Sequence, residues 1–110
     1  MKQAPIFTRA YTFFSWLIER LEKVEQQAFL RGIILDTARL LMESLTLALQ
    51  GFEPHYHSQR ADEALALLRL HLRLGEDHGL LDEKQYLYAV ESLDDIGRQL
   101  GGWLKSLNQL

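Results

Sequence analysis

Apolar residues recur at three- and four-residue steps through most of the chain, which is the period of an amphipathic helix. Polar or glycine-containing breaks divide this pattern into four stripes. We therefore predict four helices, over residues 6–23, 28–50, 58–78 and 82–107. Because short connections favour antiparallel neighbours, the expected fold is all-α, an up-down-up-down four-helix bundle formed by residues 1–110 as one domain.

Local signals indicate where some of these helices begin and end. Gly51, followed by Pro54, favours the end of the second helix. Ser58 is predicted to cap the third. The fourth helix has the clearest start, because Asp82 as N-cap and Gln85 three residues later form an approximate capping box.

Composition supports a helical protein and narrows its class. Leu occurs 23 times, whereas Val, Ile and Thr together occur 11 times. The absence of Cys excludes disulfides, thiolate metal sites and Cys nucleophiles. No charge-free apolar run reaches the roughly 18 residues of a membrane span, and the first residues lack signal-peptide order, so we expect a cytoplasmic protein without a membrane partner. The net charge of −3 argues against a strongly basic nucleic-acid binder.

The third helix has more apolar surface than one bundle requires. Projected at about 100° per residue, one of its stripes faces the bundle core, and Leu67, Leu70 and Leu74 form a second stripe. A second stripe indicates another covering surface, so we expect a homo-oligomer. The alternative is a helix covered on two sides by its own bundle. Trp16, near arginines of the first helix, is either an interface anchor or an isolated exposed Trp.

Residues with catalytic or metal-binding chemistry form no strong motif. His55 and His57 have no third ligand near them in sequence, and no Glu-x-x-His pair occurs, so we expect no metal and no other cofactor. Arg73 and His78 have a spacing similar to that of HEPN-type ribonucleases, but they diverge by about 140° on a regular helix. We therefore expect a protein without catalytic residues, with a HEPN-type ribonuclease using this pair as the alternative.

Charge is distributed unevenly along the chain. Residues 1–40 carry six bases and four acids, a balance of +2, whereas residues 76–95 carry seven acids and one Lys, a balance of −6. Arg31, Arg39 and the arginines of the third helix, Arg69 and Arg73, are thus candidates for a modest basic surface. Ordinary solubilising charge is the alternative.

Several short motifs are more specific than this overall pattern. In the second half they are Leu68-Arg69-Leu70, Leu72-Arg73-Leu74, Gly79-Leu80-Leu81, Gln85-Tyr86, Ile96-Gly97-Arg98 and Leu100-Gly101-Gly102-Trp103-Leu104-Lys105. Two glycines before a Trp in an amphipathic helix oppose helix propensity. Through these motifs the chain resembles the accessory variability determinant proteins of diversity-generating retroelements. These belong to a wider group of four-helix-bundle proteins related to those encoded in 23S ribosomal RNA intervening sequences. The first half matches more loosely, through Tyr11, Trp16-Leu17-Ile18-Glu19-Arg20 and Phe29-Leu30.

The resemblance implies a non-enzymatic accessory protein. Such proteins form barrel-shaped homopentamers, bind the retroelement's reverse transcriptase, engage RNA or DNA, and support mutagenic synthesis of complementary DNA. The predicted contacts to reverse transcriptase or nucleic acid are Arg31, Arg39, Arg69, Arg73, Arg98 and Lys105. The predicted oligomer interface consists of Leu67, Leu70, Leu74 and Trp16. A structural bundle of the intervening-sequence group, without a reverse transcriptase partner, is a further alternative.

Overall fold

Four helices make up the computed structural model, which describes residues 4–108. They are α1 (Pro5–Glu22), α2 (Ala28–Leu49), α3 (Pro54–Asp77) and α4 (Glu83–Asn108). Each helix packs against two neighbours, in the order α1, α2, α3, α4 and back to α1. Residues 4–108 contain no strand, so the all-α prediction is confirmed for this part of the chain.

Contacts between helices show that neighbours run antiparallel. Thr37 of α2 meets His71 of α3, whereas Ile34, earlier on α2, lies against Gly75, later on α3. The same reversal relates α4 to α3 and to α1, in the pairs Leu65–Gly97, Arg69–Asp94, Arg9–Asp95 and Trp16–Tyr88. The chain therefore follows an up-down-up-down path.

The start of α3 differs from its prediction. The helix begins at Pro54, after Glu53 in a left-handed conformation, and not at Ser58. Proline suits the first position of a helix because its φ is already helical and its missing N–H needs no partner. Ser58 is fully buried, and its hydroxyl donates to the carbonyl oxygens of Pro54 and His55. Its predicted role as an N-cap is therefore wrong.

The start of α4 agrees with its prediction. The backbone N–H of Gln85 donates to Asp82 Oδ1 at 2.7 Å, and the backbone N–H of Asp82 donates to Gln85 Oε1 at 2.9 Å. These reciprocal bonds are a capping box and satisfy two backbone donors that the helix itself leaves free. Gly79, with φ of 80°, makes the left-handed turn after α3 that few other residues tolerate.

The core runs the length of the bundle between all four helices. Its largest fully buried side chains are Phe13, Leu17, Leu21, Ile34, Leu45, Leu68, Leu72, Leu93, Ile96 and Leu100. Small residues lie on the line between α2 and α3, where Ser44 and Ala64 are buried. Within residues 4–108, none of the helices combines the length and the hydrophobicity that a membrane span requires.

Candidate interaction surfaces

The second apolar stripe of α3 lies on the outside of the bundle. Leu67 is 49% exposed and Leu70 is 53% exposed, while Leu74 is half-buried. The stripe is on the α2 side of α3, because His71, one turn from both Leu67 and Leu74, contacts Thr37 of α2. The bundle's own helices therefore do not cover Leu67 and Leu70, and the alternative of a helix covered on two sides is wrong for these residues.

Helix α2 extends this apolar surface. Phe29 is 83% exposed and Leu47 is also exposed, and both lie at helical steps from the half-buried Ile33 and Leu40. The resulting α2/α3 face consists of Phe29, Ile33, Leu40, Leu47, Leu67, Leu70 and Leu74. Sequence reasoning missed its α2 half, because the spacing 29, 33, 40, 47 runs beside the more regular core stripe of that helix.

A second apolar surface lies on the opposite flank of α2. Phe14 of α1 lines a narrow crevice with Met42 of α2, which places this side of α1 against α2. Tyr11 is 59% exposed, Ile18 is exposed, and the rings of Phe7 and Tyr11 stack at 5.9 Å between centroids. We call Phe7, Tyr11, Phe14 and Ile18 the α1/α2 face. The sequence pattern did not predict this face, because Phe14 follows the buried Phe13 directly and also lies at a three-residue step from the buried Leu17.

A polar ridge on α2 separates the two apolar faces. Arg39 lies 3.4 Å from Glu43 and 3.8 Å from Asp36, and all three side chains are largely exposed. Exposed pairs one turn apart on a helix contribute at most a few tenths of a kcal/mol. The ridge therefore contributes little to stability, but it separates the α2/α3 face from the α1/α2 face.

The six predicted cationic contacts do not form one basic surface. Arg31 donates to the Val24 carbonyl oxygen, Arg69 pairs with Asp94 at 2.8 Å, and Arg98 pairs with Asp95 at 2.9 Å. Arg39 is part of the ridge on α2. Within residues 4–108, Arg73 and Lys105 make neither an ion pair nor a side-chain hydrogen bond. The role of all six in binding remains a prediction.

Arg69 lies at the centre of the α3/α4 surface. It lines one cavity together with Arg73 and a neighbouring depression together with Arg98. Asp62 and Asp94 also line that depression and offset the charges of Arg69 and Arg98. Gly97 makes this arrangement possible, because a Cβ there would lie 3.1 Å from Leu65 Cδ2 and 3.3 Å from Arg69 Nη2. The arginine can therefore cross α4 and also donate to the Leu93 carbonyl oxygen at 3.3 Å.

Trp16 lies in the contact between α1 and α4 and is half-buried. Its ring centroid is 4.6 Å from that of Tyr88 and 6.0 Å from that of Phe13, and the guanidinium of Arg20 lies 5.9 Å from it. Much of the indole ring therefore packs against residues of the same protomer. Its participation in an oligomer interface stays a prediction.

The histidines do not assemble a catalytic or metal site among the described residues. His55 Nε2 lies 3.2 Å from the Leu107 carbonyl oxygen, while His57 packs edge-on against Tyr56. Residues 4–108 contain no group of three or more potential ligands placed for a metal ion. His78 follows α3 on the side of the α1–α2 connection, where Gln27 donates to its carbonyl oxygen. Arg73 faces α4, so the structure does not bring this pair together.

His71 is the histidine with a defined partner and a shifted pKa. Thr37 Oγ1 lies 2.9 Å from the Ile33 carbonyl oxygen and 2.9 Å from His71 Nδ1. The Thr37 hydroxyl thus has two partners at the same distance, and the tautomer of His71 sets the direction of the bond between Thr37 and His71. Burial beside α2 lowers the pKa of His71 below its ordinary value of 6.5.

Comparison of the chain with models of protein families, with curated proteins and with solved structures finds no match. Function therefore has to be inferred from the surfaces of the molecule and from the motifs of its sequence.

Proposed function

We propose that this protein is the accessory subunit of a diversity-generating retroelement, which assembles into a ring of identical copies and binds the reverse transcriptase. The identity of the partner rests on the motifs of residues 65–105, above all Ile96-Gly97-Arg98 and the Gly101-Gly102-Trp103 string. The all-helical fold agrees with this resemblance. The observation that carries the assembly is the presence of two unlike apolar faces on one protomer.

Two unlike faces favour a ring over a two-fold dimer. A two-fold interface pairs one patch with itself, whereas a ring pairs one patch with a different patch of the next copy. The α2/α3 face contains five Leu, one Ile and one Phe, and the α1/α2 face contains three aromatic side chains and one Ile, so they differ in shape. Both expose large apolar side chains, which are costly to leave in water.

The position of the two faces bears on whether a ring can close. They lie on adjacent sides of a four-helix bundle, whose sides point in directions about 90° apart. A closed ring of four copies requires about 90° between its two interfaces, and a ring of five requires about 108°. Faces on adjacent sides are compatible with a small closed ring, and the number of five copies comes from the resemblance alone.

The cationic residues are proposed as contacts to the reverse transcriptase. Arg73 and Lys105 are the best placed, because neither is engaged by another side chain in residues 4–108. Contacts to template RNA or its DNA copy would use the same cations. With a net charge of −3 and several arginines already paired, nucleic acid alone should bind weakly and with a shallow salt dependence.

Co-expression with the reverse transcriptase encoded beside the gene tests this function. We expect the tagged protein to retain the enzyme through purification and to elute with a mass of several protomers. A ring without bound enzyme would support the structural bundle of the intervening-sequence group. A monomer that does not bind the enzyme would refute both parts of the proposal. RNA cleavage that is lost on His78→Ala would favour the HEPN-type ribonuclease.

A further inference from the structure

A cavity of about 350 Å³ lies between α3 and α4, on a different side of the bundle from the α1/α2 face. This volume falls at the lower end of the range for binding pockets. The cavity has an apolar floor from both helices and a cationic rim from α3. Helix α3 lines it with Arg69, Leu70, Leu72 and Arg73, and α4 lines it with Tyr86, Val90 and Leu93.

The rim carries one positive charge that this chain does not neutralise. Arg69 is already paired with Asp94 at 2.8 Å and with the Leu93 carbonyl oxygen at 3.3 Å. Arg73 is exposed and has no ion pair or side-chain hydrogen bond within residues 4–108. A guanidinium in this position presents two parallel N–H groups, a geometry that matches a carboxylate.

The surroundings of the cavity disfavour a polyanion. Residues 76–95, which include the α4 half of the cavity, carry seven acids and one Lys. A nucleic-acid strand brings a phosphate at every nucleotide and gains affinity from several cations together. Within residues 4–108, Arg73 is the one cation of this cavity without an ion pair, which suits one anionic group better than a row of them.

We propose that this cavity binds a segment of a protein partner in which an apolar side chain lies one helical turn from a single carboxylate. The apolar side chain fills the floor, and the carboxylate pairs with Arg73. Basic flanking residues of the segment would meet the acids around the cavity. This combination of an anchor in a groove and a charge at its edge is a common mode of helix recognition.

The surface of α4 agrees with such a partner. Leu87, one turn before Glu91, is 52% exposed and lies next to Tyr86 at the mouth of the cavity. It enlarges the apolar area that a docked helix would cover. The α4 half of the cavity belongs to neither apolar face, whereas Leu70 lies both in the cavity lining and in the α2/α3 face, so the cavity lies at the edge of that face.

The proposal takes from the proposed function only that Arg69 and Arg73 contact a protein, and it is tested without any reverse transcriptase. The probe is a fluorescein-labelled helical peptide of Ala, Lys and Gln with one Leu and one Asp a turn apart. One control peptide has Asn for the Asp, and another has Ala for the Leu. Fluorescence anisotropy measures the affinity of the purified protein for each, and a labelled oligouridine is titrated in parallel.

We expect the Leu and Asp peptide to bind roughly tenfold more tightly than either control, because a charge-assisted bidentate pair and a filled apolar floor are both lost in the controls. Arg73→Gln should abolish the preference for Asp over Asn. Val90→Thr, which keeps the volume but adds a hydroxyl to the floor, should abolish the preference for Leu over Ala. Arg20→Gln, which replaces an exposed arginine of α1 outside the cavity, should change neither preference.

Several results would overturn the proposal. Equal affinity for the Asp and Asn peptides would remove the role of Arg73, and so would a preference for Asp that survives Arg73→Gln. Tighter binding of oligouridine than of the peptide, lost on Arg73→Gln, would assign the site to nucleic acid instead. None of these results depends on whether the protein binds a reverse transcriptase, so this proposal and the proposed function can fail separately.

Discussion

Helix α3 has two flanks that differ in packing and in chemistry. On the α2 side, small buried residues such as Ser44 and Ala64 let the two helices approach closely, and the large side chains of Leu67 and Leu70 lie outside the contact. On the α4 side, Arg69 crosses to Asp94 and a cavity remains between the helices. The α2 flank therefore exposes leucine beside closely packed helices, whereas the α4 flank exposes arginine beside a cavity.

The difference bears on which flank would gain free energy of stabilisation from being covered by another surface. Exposed apolar side chains cost free energy in water, and covering them with another surface is favourable. A contiguous set of such side chains is typical of an interface. Exposed arginines are well solvated, so the α4 flank needs no permanent cover when no ligand is bound. We therefore propose that the α2 side of α3 serves permanent assembly and that the α4 side serves reversible recognition.

The most disruptive test of this assignment is Leu70→Asp. A carboxylate on the α2/α3 face should reduce the assembly to protomers, because a buried unpaired charge in an interface costs several kcal/mol. Helix content should survive, since Leu70 is 53% exposed in the protomer. Light scattering gives the mass and circular dichroism gives the helix content.

Leu87→Asp is the matched control for that substitution. Leu87 is 52% exposed on α4, outside both apolar faces, so its replacement should leave the mass unchanged. The assignment fails if both variants dissociate equally. It also fails if the parent protein is a monomer at high micromolar concentration, where a specific interface would be occupied.

A smaller effect distinguishes two glycines of α4. Gly101→Ala should stabilise the protein by about 0.5 to 1 kcal/mol, because Ala favours the helix. Apart from the neighbouring residues and backbone of its own helical turn, no atom of residues 4–108 lies within 4 Å of the new methyl group. Gly97→Ala gains the same propensity, but its methyl group meets Leu65 at 3.1 Å and Arg69 at 3.3 Å. The two variants should differ by about 1 kcal/mol or more in urea denaturation.

The stability of the Gly97→Ala variant shows whether Arg69 needs a glycine at this position to cross α4. If Gly97→Ala stabilises the protein as much as Gly101→Ala, the close approach of Leu65 and Arg69 is not required. If it lowers stability and weakens the Arg69–Asp94 pair, the glycine is there to let the arginine cross the helix.

Local features of the fold were predictable from sequence, and contacts between distant residues were not. The capping box of Asp82 and Gln85 depends on residues three positions apart, so the sequence contains all of it. Ser58 was misassigned because Pro54 offered a competing start four residues earlier, and a good capping residue is also tolerated inside a helix when it bonds back to a carbonyl.

For a similar reason, the part of the α2/α3 face that lies on α3 was predictable, and the part that depends on a second helix was not. The stripe of Leu67, Leu70 and Leu74 follows from periodicity alone. Which helix flanks it, and that Phe29 and Leu47 extend it, depends on how the helices are rotated about their axes. The cavity beside Arg73 depends on side-chain conformations across two helices, which no spacing in one segment specifies.

His71 allows a test of the α2 flank by pH. Because burial lowers the pKa of His71 below 6.5, the unfolded chain binds a proton more readily than the folded one. Its contribution to stability is therefore complete above pH 6.5 and is lost as the pH falls through that value towards the lower pKa of the folded state. The slope cannot exceed about 1.4 kcal/mol per pH unit for one proton.

His71→Gln is the variant that isolates this titration. Gln retains a hydrogen-bonding group for Thr37 but gains no charge, so its urea midpoint should fall less than that of the parent between neutral and mildly acidic pH. Parallel curves for the two proteins would assign the pH dependence to other groups.

The smallest expected effect concerns the ion pair that spans the α4 flank. Arg69 and Asp94 lie 2.8 Å apart with side chains 41% and 56% exposed, so solvent screens their attraction. A double-mutant cycle of Arg69→Gln and Asp94→Asn should give a coupling of about 0.2 to 1 kcal/mol, which decreases in high salt. The same cycle on Arg39 and Glu43, which are also exposed but lie on one helix, is the matched control and should give a few tenths at most. A coupling well above 1 kcal/mol for Arg69 and Asp94 would mean that this flank is covered in solution, and the contrast between the two flanks of α3 would then disappear.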